Sequence, residues 1–331
     1  MRMKKILIIL LTIALPIAFT ACGSDDDDSP GTPTVVNNNK NNASLQPELA
    51  RLEFPKVKGG ASIVVVHNAI LNSRTNERGV NYCTEWDTQK MSQRWSCYQM
   101  YESIKDGNTT RYNPGTNTTL TPTSQYPNDE YITNSSYLFS TDPYRGSGYD
   151  HGHICPSADR LGSAEANRQT FYMTNMQPQV NGFNAGTWQY MENMMRTWNR
   201  NDFRDTLYVC KGGTIDSEAN IAGYIGSGSN RIPVPKYFYM ALLCKNAQGY
   251  KAMAFWIQHK AGNDDGQALK QYVISIDELE QKTGIDFFCN LPDDIEERVE
   301  SNVAPNAWGF KKSQAHTYHR LYASRTKASY R

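Results

Sequence analysis

Tyr149-Asp150-His151-Gly152-His153-Ile154-Cys155-Pro156-Ser157-Ala158-Asp159-Arg160 gathers an acid, two histidines and a glycine into four consecutive positions. Gly146-Ser147-Gly148 precede the motif and Pro156 follows it, so the stretch reads as a rigid, exposed loop rather than a helix or strand interior. Histidine is the side chain whose ordinary pKa lies nearest neutrality, which suits it to general-base work. Gly152 leaves out a Cβ where backbone must come close to a ligand. On its own, an Asp-X-Gly-His is as compatible with a structural histidine pair as with a site. The residues that follow it favour the site.

Downstream lie Thr170-Phe171-Tyr172-Met173-Thr174-Asn175-Met176-Gln177-Pro178-Gln179, then Asn181 to Asn184, then Gly186-Thr187-Trp188-Gln189-Tyr190-Met191-Glu192. From Gly186 to Asn199, the apolar residues Trp188, Met191, Met195 and Trp198 recur at helical spacing and define one buried stripe. Glu192 sits at the edge of that stripe with Arg196 one turn on, the spacing of a Glu–Arg pair. Such a pair is often structural. With Asn184 just before the helix, it also supplies an amide oxygen and a carboxylate of the kind a metal-dependent phosphodiesterase needs.

The rest of the chain predicts a scaffold for this segment. Ser62 to His67 is a β-branched run and reads as a buried strand. Val80 to Asp87 and Arg94 to Tyr101 alternate and are rich in aromatics, which predicts a hairpin. Lys105 to Tyr144 is polar loop, Ser163 to Asn167 a short helix and Thr170 to Thr174 a strand. Thr206 to Cys210, Tyr237 to Cys244 and Tyr250 to Ile257 predict further strands. Ser275-Ile276-Asp277-Glu278 forms a capping box for a short helix that Gly284 can close, and the apolar residues from Ile276 to Phe288 read as core.

Asp150-His151-Gly152-His153, followed by Thr174-Asn175, Pro178-Gln179, Asn184, Trp188 and Glu192, resembles in order and spacing the signature of the DNA/RNA non-specific endonuclease family. The resemblance covers most of residues 60 to 310. It departs at His151, where these ββα-metal nucleases carry arginine. It implies a mixed α/β (α+β) fold with an antiparallel-rich central sheet, helices and a ββα-metal (His-Me finger) core. It implies His153 as the general base and Asn184 as the one protein ligand to a hydrated Mg²⁺, with Mn²⁺ as a substitute. Glu192 would bind the metal's waters, Asp150 would hold the loop, and Arg94, just before Trp95, would clamp the scissile phosphate. Arg196 and Asn175 are expected to contact substrate. DNA and RNA are the implied partners, cut to 5′-phosphate ends, with little base preference because phosphate and sugar contacts carry no sequence information. His151 would be only partly protonated at neutrality, so it is expected to support phosphate less strongly than arginine, lowering the pH optimum or the rate.

Two other classes remain compatible with these residues. One is a lipoprotein that binds nucleic acid or another polyanion without cutting it, which His151 favours. The other is a phosphodiesterase of small esters.

The chain has 331 residues and a formal net charge of +1, so whole-protein steering toward nucleic acid should be weak. Met1 to Lys5 are basic and Ile6 to Phe19 apolar, too short for the ~20 residues of a membrane span, so residues 1–21 read as a signal peptide. Phe19-Thr20-Ala21-Cys22 resembles a lipobox with Cys22 as the lipidated residue. An exported cell-envelope lipoprotein is therefore expected, held at the outer membrane by its lipid. The acidic run Asp25 to Asp28 also resembles surface-routing signals. Residues 22–58 read as an acidic, Asn-rich linker, 59–310 as the nuclease domain and 311–331 as a basic tail. Six further cysteines (Cys83, Cys97, Cys155, Cys210, Cys244 and Cys289) permit up to three disulfides in an exported chain, with Cys83–Cys97 the preferred cross-strand bridge. No Cys-X-X-Cys pair points to zinc.

Overall fold

The computed structural model describes residues 36–44, 46–115 and 119–311. The expected signal peptide, Cys22, the acidic run and the tail from residue 312 lie outside the described residues.

Strands β1 (Ser62–Asn72), β2 (Glu77–Asp87) and β3 (Ser92–Met100) form an antiparallel meander. The motif follows as β4 (Asp150–His153), then α1 (Ala164–Gln169), β5 (Met176–Gln179) and α2 (Gln189–Trp198). Next come β6 (Thr206–Gly213), β7 (Ile221–Ile225), β8 (Ile232–Pro235), β9 (Tyr237–Asn246), β10 (Gly249–Gln258) and β11 (Val273–Ile274). Helices α3 (Ile276–Thr283) and α4 (Asp293–Glu300) close the body. The main sheet is antiparallel with seven strands in the order β1-β2-β3-β6-β9-β10-β11, while β4-β5 and β7-β8 are separate two-stranded ribbons.

The central strands are apolar on both faces because both faces are covered, and the period of two sorts their residues between two cores. Tyr98, Val209, Met240 and Leu242 face one core, shared with Trp188, Met191, Met195 and Trp198 of the α2 region. Cys97, Cys210, Ala241 and Leu243 face the other, with Ile276 and Leu279 of α3 and Phe287 and Phe288 beyond it. The apolar stripe expected between Gly186 and Asn199 is therefore the surface that seats α2 on the sheet. The polar loop from 105 to 144 contributes Leu120, Ile132, Phe139 and Tyr144 to a third cluster with Trp86 and Phe171.

Several expectations need correction. The motif is not wholly loop: β4 pairs in register with β5, His151 opposite Pro178 and His153 opposite Met176. The strand expected over Thr170 to Thr174 is displaced to Met176–Gln179, because Met173 to Asn175 turn as a 3₁₀ segment. Residues 36–58 are not free linker. Asn37, Asn38, Asn39 and Asn41 hydrogen-bond residues between Asp286 and Asp293 and Glu296, and Phe54 is fully buried. Asparagine amides read as solvated spacer in sequence, yet here they satisfy backbone and carboxylate groups at the other end of the body.

Among the described residues no disulfide is formed. All six cysteines carry free thiols. Cys83 does lie opposite Cys97, and Cys97 opposite Cys210. These thiols pack in the far core among its small hydrophobic groups.

Candidate active site

β4 and α2, with the turn leading into α2, meet at a cleft of about 570 Å³. Asp150, His151, His153, Asn184, Glu192 and Arg196 line it together with Arg111, Tyr126 and Trp188. Backbone geometry brings these side chains together. An added Cβ on Gly152 would lie 2.4 Å from the Gln179 side chain, so the close pairing of β4 with β5 requires glycine there. After β5 the chain makes a π-helical turn, Phe183–Trp188, before α2 begins. Gly186 carries that turn with φ −110° and ψ −120°, and an added Cβ would meet the Gly262 carbonyl oxygen at 2.0 Å. The turn sets Asn184 beside the motif. Its Nδ2 donates to Asp150 Oδ2 at 3.0 Å, and Asn181 donates to the same oxygen at 3.0 Å.

His153 is half-buried, and its Nε2 is a buried atom without a hydrogen-bond partner. Its ring meets Phe171 edge-on at 4.7 Å, and Trp188 Nε1 donates to its carbonyl oxygen at 3.4 Å. Burial pushes the imidazole well below its usual pKa, and the charges of Arg111, His151 and Lys211 push the same way. The ring is therefore neutral at neutral pH, with one nitrogen able to accept a proton.

His151 is held differently. Its ring lies between Tyr126 (3.8 Å between centroids, 5° between planes) and Tyr144 (4.1 Å, 26°). Its Nε2 is 3.1 Å from both Asp142 carboxylate oxygens, so Nε2 carries the proton and donates it. Burial would raise the Asp142 carboxyl, but the bond and charge of His151 outweigh it and hold the group below its usual range. The polar end of His151 is thus committed to Asp142.

Glu192 is buried in the cleft wall, and Lys211 Nζ of β6 donates to its Oε1 at 2.6 Å. Burial raises the Glu192 carboxyl, Lys211 pulls it back and Asp159 raises it further, leaving it above its ordinary value. Lys211 also lies 4.6 Å over the Trp188 ring. The Glu192–Arg196 pair expected from helical spacing is not the direct contact. Arg196 Nη1 instead donates to Asp159 Oδ1 at 2.7 Å, because partners from β6 and from the 3₁₀ turn at Ser157–Asp159 approach more closely than the next turn of α2.

Two expected site residues are elsewhere. Arg94 is 4 % exposed on the far side of the sheet, near Lys282, Thr283 and Ile285. Its guanidinium donates to Glu85 Oε2 at 2.7 Å and to Asp216 Oδ2 at 2.8 Å, so its charge and its fork are already engaged. Asn175 is fully buried and uses its whole amide internally, donating to the carbonyls of Cys155 and Thr170 and accepting from the Cys155 N–H and Ser96 Oγ. It fixes the chain just after the motif.

Sequence reading missed Arg111, Lys211, Tyr126, Tyr144 and Asp142. Lys211 had one legible signal, a lysine directly after the apolar strand Thr206 to Cys210. Arg111 had none; it lies in an unpatterned loop and reaches the cleft over Phe171, 4.8 Å from the ring.

Several known proteins are similar to this chain in sequence or fold. Human mitochondrial endonuclease G is 30 % identical over 153 residues, 45 % of this chain and 51 % of that protein. A nuclease of Nostoc sp. is 34 % identical over 168 residues, 48 % of this chain and 58 % of that protein. The chain thus matches roughly half the length of these relatives. The crystal structure of an EndoG/EndoGI complex superposes with a TM-score of 0.51 at 21 % identity, over 63 % of this chain and 84 % of that one, a likeness of fold. The model of the DNA/RNA non-specific endonuclease family matches residues 61–294, and this chain belongs to that family.

Proposed function

We propose that the cleft hydrolyses phosphodiester bonds of DNA and RNA, with His153 as the general base. The observation that carries this reading is the His153 Nε2, buried without a partner and held neutral in a cleft lined by oxygen donors and arginines. Neutral imidazole takes a proton from water as the water oxygen attacks phosphorus. The P–O3′ bond breaks, the leaving O3′ takes up a proton from solvent to become a 3′-hydroxyl, and the phosphate stays on O5′ as a 5′-phosphate end. Arg111 at the rim offers positive charge to the substrate phosphates, while Arg196 in the wall is engaged by Asp159. Asp150 orients Asn184 through its hydrogen bond.

The donor set fits a hard divalent cation: the Asn184 amide oxygen and the Glu192 carboxylate are oxygen ligands, and no thiolate lines the cleft. Asn184 would hold Mg²⁺ or Mn²⁺ directly and Glu192 through water. When bound, the ion supplies charge to the leaving oxygen. Export as a lipoprotein acylated at Cys22 and anchored in the outer membrane is part of the same proposal, carried by residues 1–22 alone.

The test uses soluble protein beginning after Cys22, incubated with plasmid DNA and with RNA, with Mg²⁺, with chelator, and as His153→Ala. Metal-dependent loss of both polymers that disappears in the variant is expected. Intact polymers across a pH series, with binding retained in a gel shift, would overturn the enzyme in favour of a binding protein.

A further inference from the structure

We propose a second cation site, selective for Ca²⁺, between α3 and α4 on the side of the sheet away from the cleft. Asp277 and Glu280 lie one turn apart on α3, and Glu300 ends α4. One carboxylate oxygen from each lies within 4.8 Å of the others. Glu300 is 7 % exposed, and its Oε1 is buried without a hydrogen-bond partner. A buried carboxylate oxygen lacking a donor is expensive, and two more carboxylates beside it add repulsion. A bound cation offsets both.

The neighbourhood extends the donor set. Asn39 Nδ2 donates to Glu296 Oε1 at 2.8 Å and to Asp286 Oδ2 at 3.2 Å, and its own Oδ1 is buried without a partner. The Phe287 N–H donates to Glu280 Oε1 at 2.7 Å. Lys56 is the cation nearest to Asp286 in effect, but its Nζ is bonded to the carbonyls of Asn39 and Lys40. Five carboxyl groups, Asp277, Glu280, Asp286, Glu296 and Glu300, thus share one polar seam.

Ligand chemistry selects the ion. Ca²⁺ accepts several protein oxygens in flexible geometry, whereas Mg²⁺ dehydrates reluctantly and usually keeps several waters with only one or two carboxylates. Three protein carboxylates gathered within 4.8 Å of one another are a ligand set of the kind Ca²⁺ takes. Ile276 and Leu279 of α3 belong to the core opposite α2, so the site is separate from the cleft. Calcium here would clamp α3 to α4 beside the segment carrying Asn39.

The test uses the full chain, stripped with chelator and carrying Asn184→Ala to disable the cleft's own ligand. Calcium chloride is added in a calorimetric titration and in a thermal melt, with magnesium chloride in parallel. One equivalent of Ca²⁺ and a rise of several degrees in melting temperature are expected, with a smaller response to Mg²⁺. Glu300→Gln should abolish both, and Asp277→Asn should weaken binding by at least about tenfold. Asp277 is half-exposed, so it serves as the variant if Glu300→Gln does not fold. Absence of a calcium response in the Asn184→Ala chain overturns the proposal, as does an undiminished response in the folded variant.

Discussion

Lys211 of the main sheet is fully buried and bonded at 2.6 Å to Glu192 of α2, so a residue outside the sequence motif sets the charge of one inside it. Removing one member of a buried pair strands the other, at about 3–5 kcal/mol. Lys211→Met should therefore lower stability by that order. Glu192 is already above its ordinary pKa, and without Lys211 it rises further. A raised acid contributes stability below its unfolded pKa and loses it as pH rises. The deficit should accordingly be larger near about pH 8 than near about pH 5. Urea unfolding at the two pH values checks the direction.

His153 titrates well below its usual range. Its neutral, base-competent form therefore persists through mild acid, and the acid limb of kcat/KM should lie clearly below the ordinary histidine value of about 6.5. A depressed histidine favours the folded state above the unfolded pKa and loses that contribution as pH falls. His153→Ala should cut the rate by about 10²–10⁴-fold and soften the acid dependence of stability. A pH–rate profile that already falls at about pH 7 would contradict this assignment.

His151 stacks between Tyr126 and Tyr144 while bonding Asp142. Two aromatic stacks contribute about 1–3 kcal/mol together. His151→Ala should lose that stability, and His151→Phe should recover most of it while lacking the Asp142 bond. If the two variants unfold at the same urea concentration, stacking is not the role of this ring.

Gly186→Ala would drive a Cβ into the Gly262 carbonyl and displace the turn bearing Asn184. A loss of activity and about 1–3 kcal/mol of stability is expected. At Gly223 a Cβ would meet nothing within 4 Å, so Gly223→Ala is the control and should leave activity unchanged. Parallel melting curves and rates distinguish a local clash from a general effect of replacing glycine.

Short-range pattern accounts for much of the fold that was legible in the sequence. The hairpin of β2 and β3, the strands at Thr206, Tyr237 and Tyr250, and the helix after Ser275 follow from alternation, β-branching and capping. The cleft residues His153, Asn184 and Glu192 were legible because they lie within one segment of the chain. Arg94 was not legible. Its neighbour Trp95 and its place on a strand suit either face, and only Glu85 and Asp216, brought in by tertiary folding, show where its charge is spent. Arg111 and Asp142 belong to irregular loop, whose position depends on what the rest of the chain leaves open. The Asn-rich segment misled for a related reason: composition reports the absence of apolar residues, not the presence of unsatisfied carboxylates elsewhere.

The bonds from Asn37, Asn38, Asn39 and Asn41 reach partners 247 to 257 positions later in the chain. A ribosome makes the first side of this seam long before the second. Residues 37–41 must therefore wait, undocked, until the last helix has emerged. Closing so long a loop is entropically the least favoured step, and it rewards the chain only once both ends exist. The seam therefore cannot fasten before residues 286–296 are in place, and a chain ending before Asp286 would keep residues 37–41 undocked.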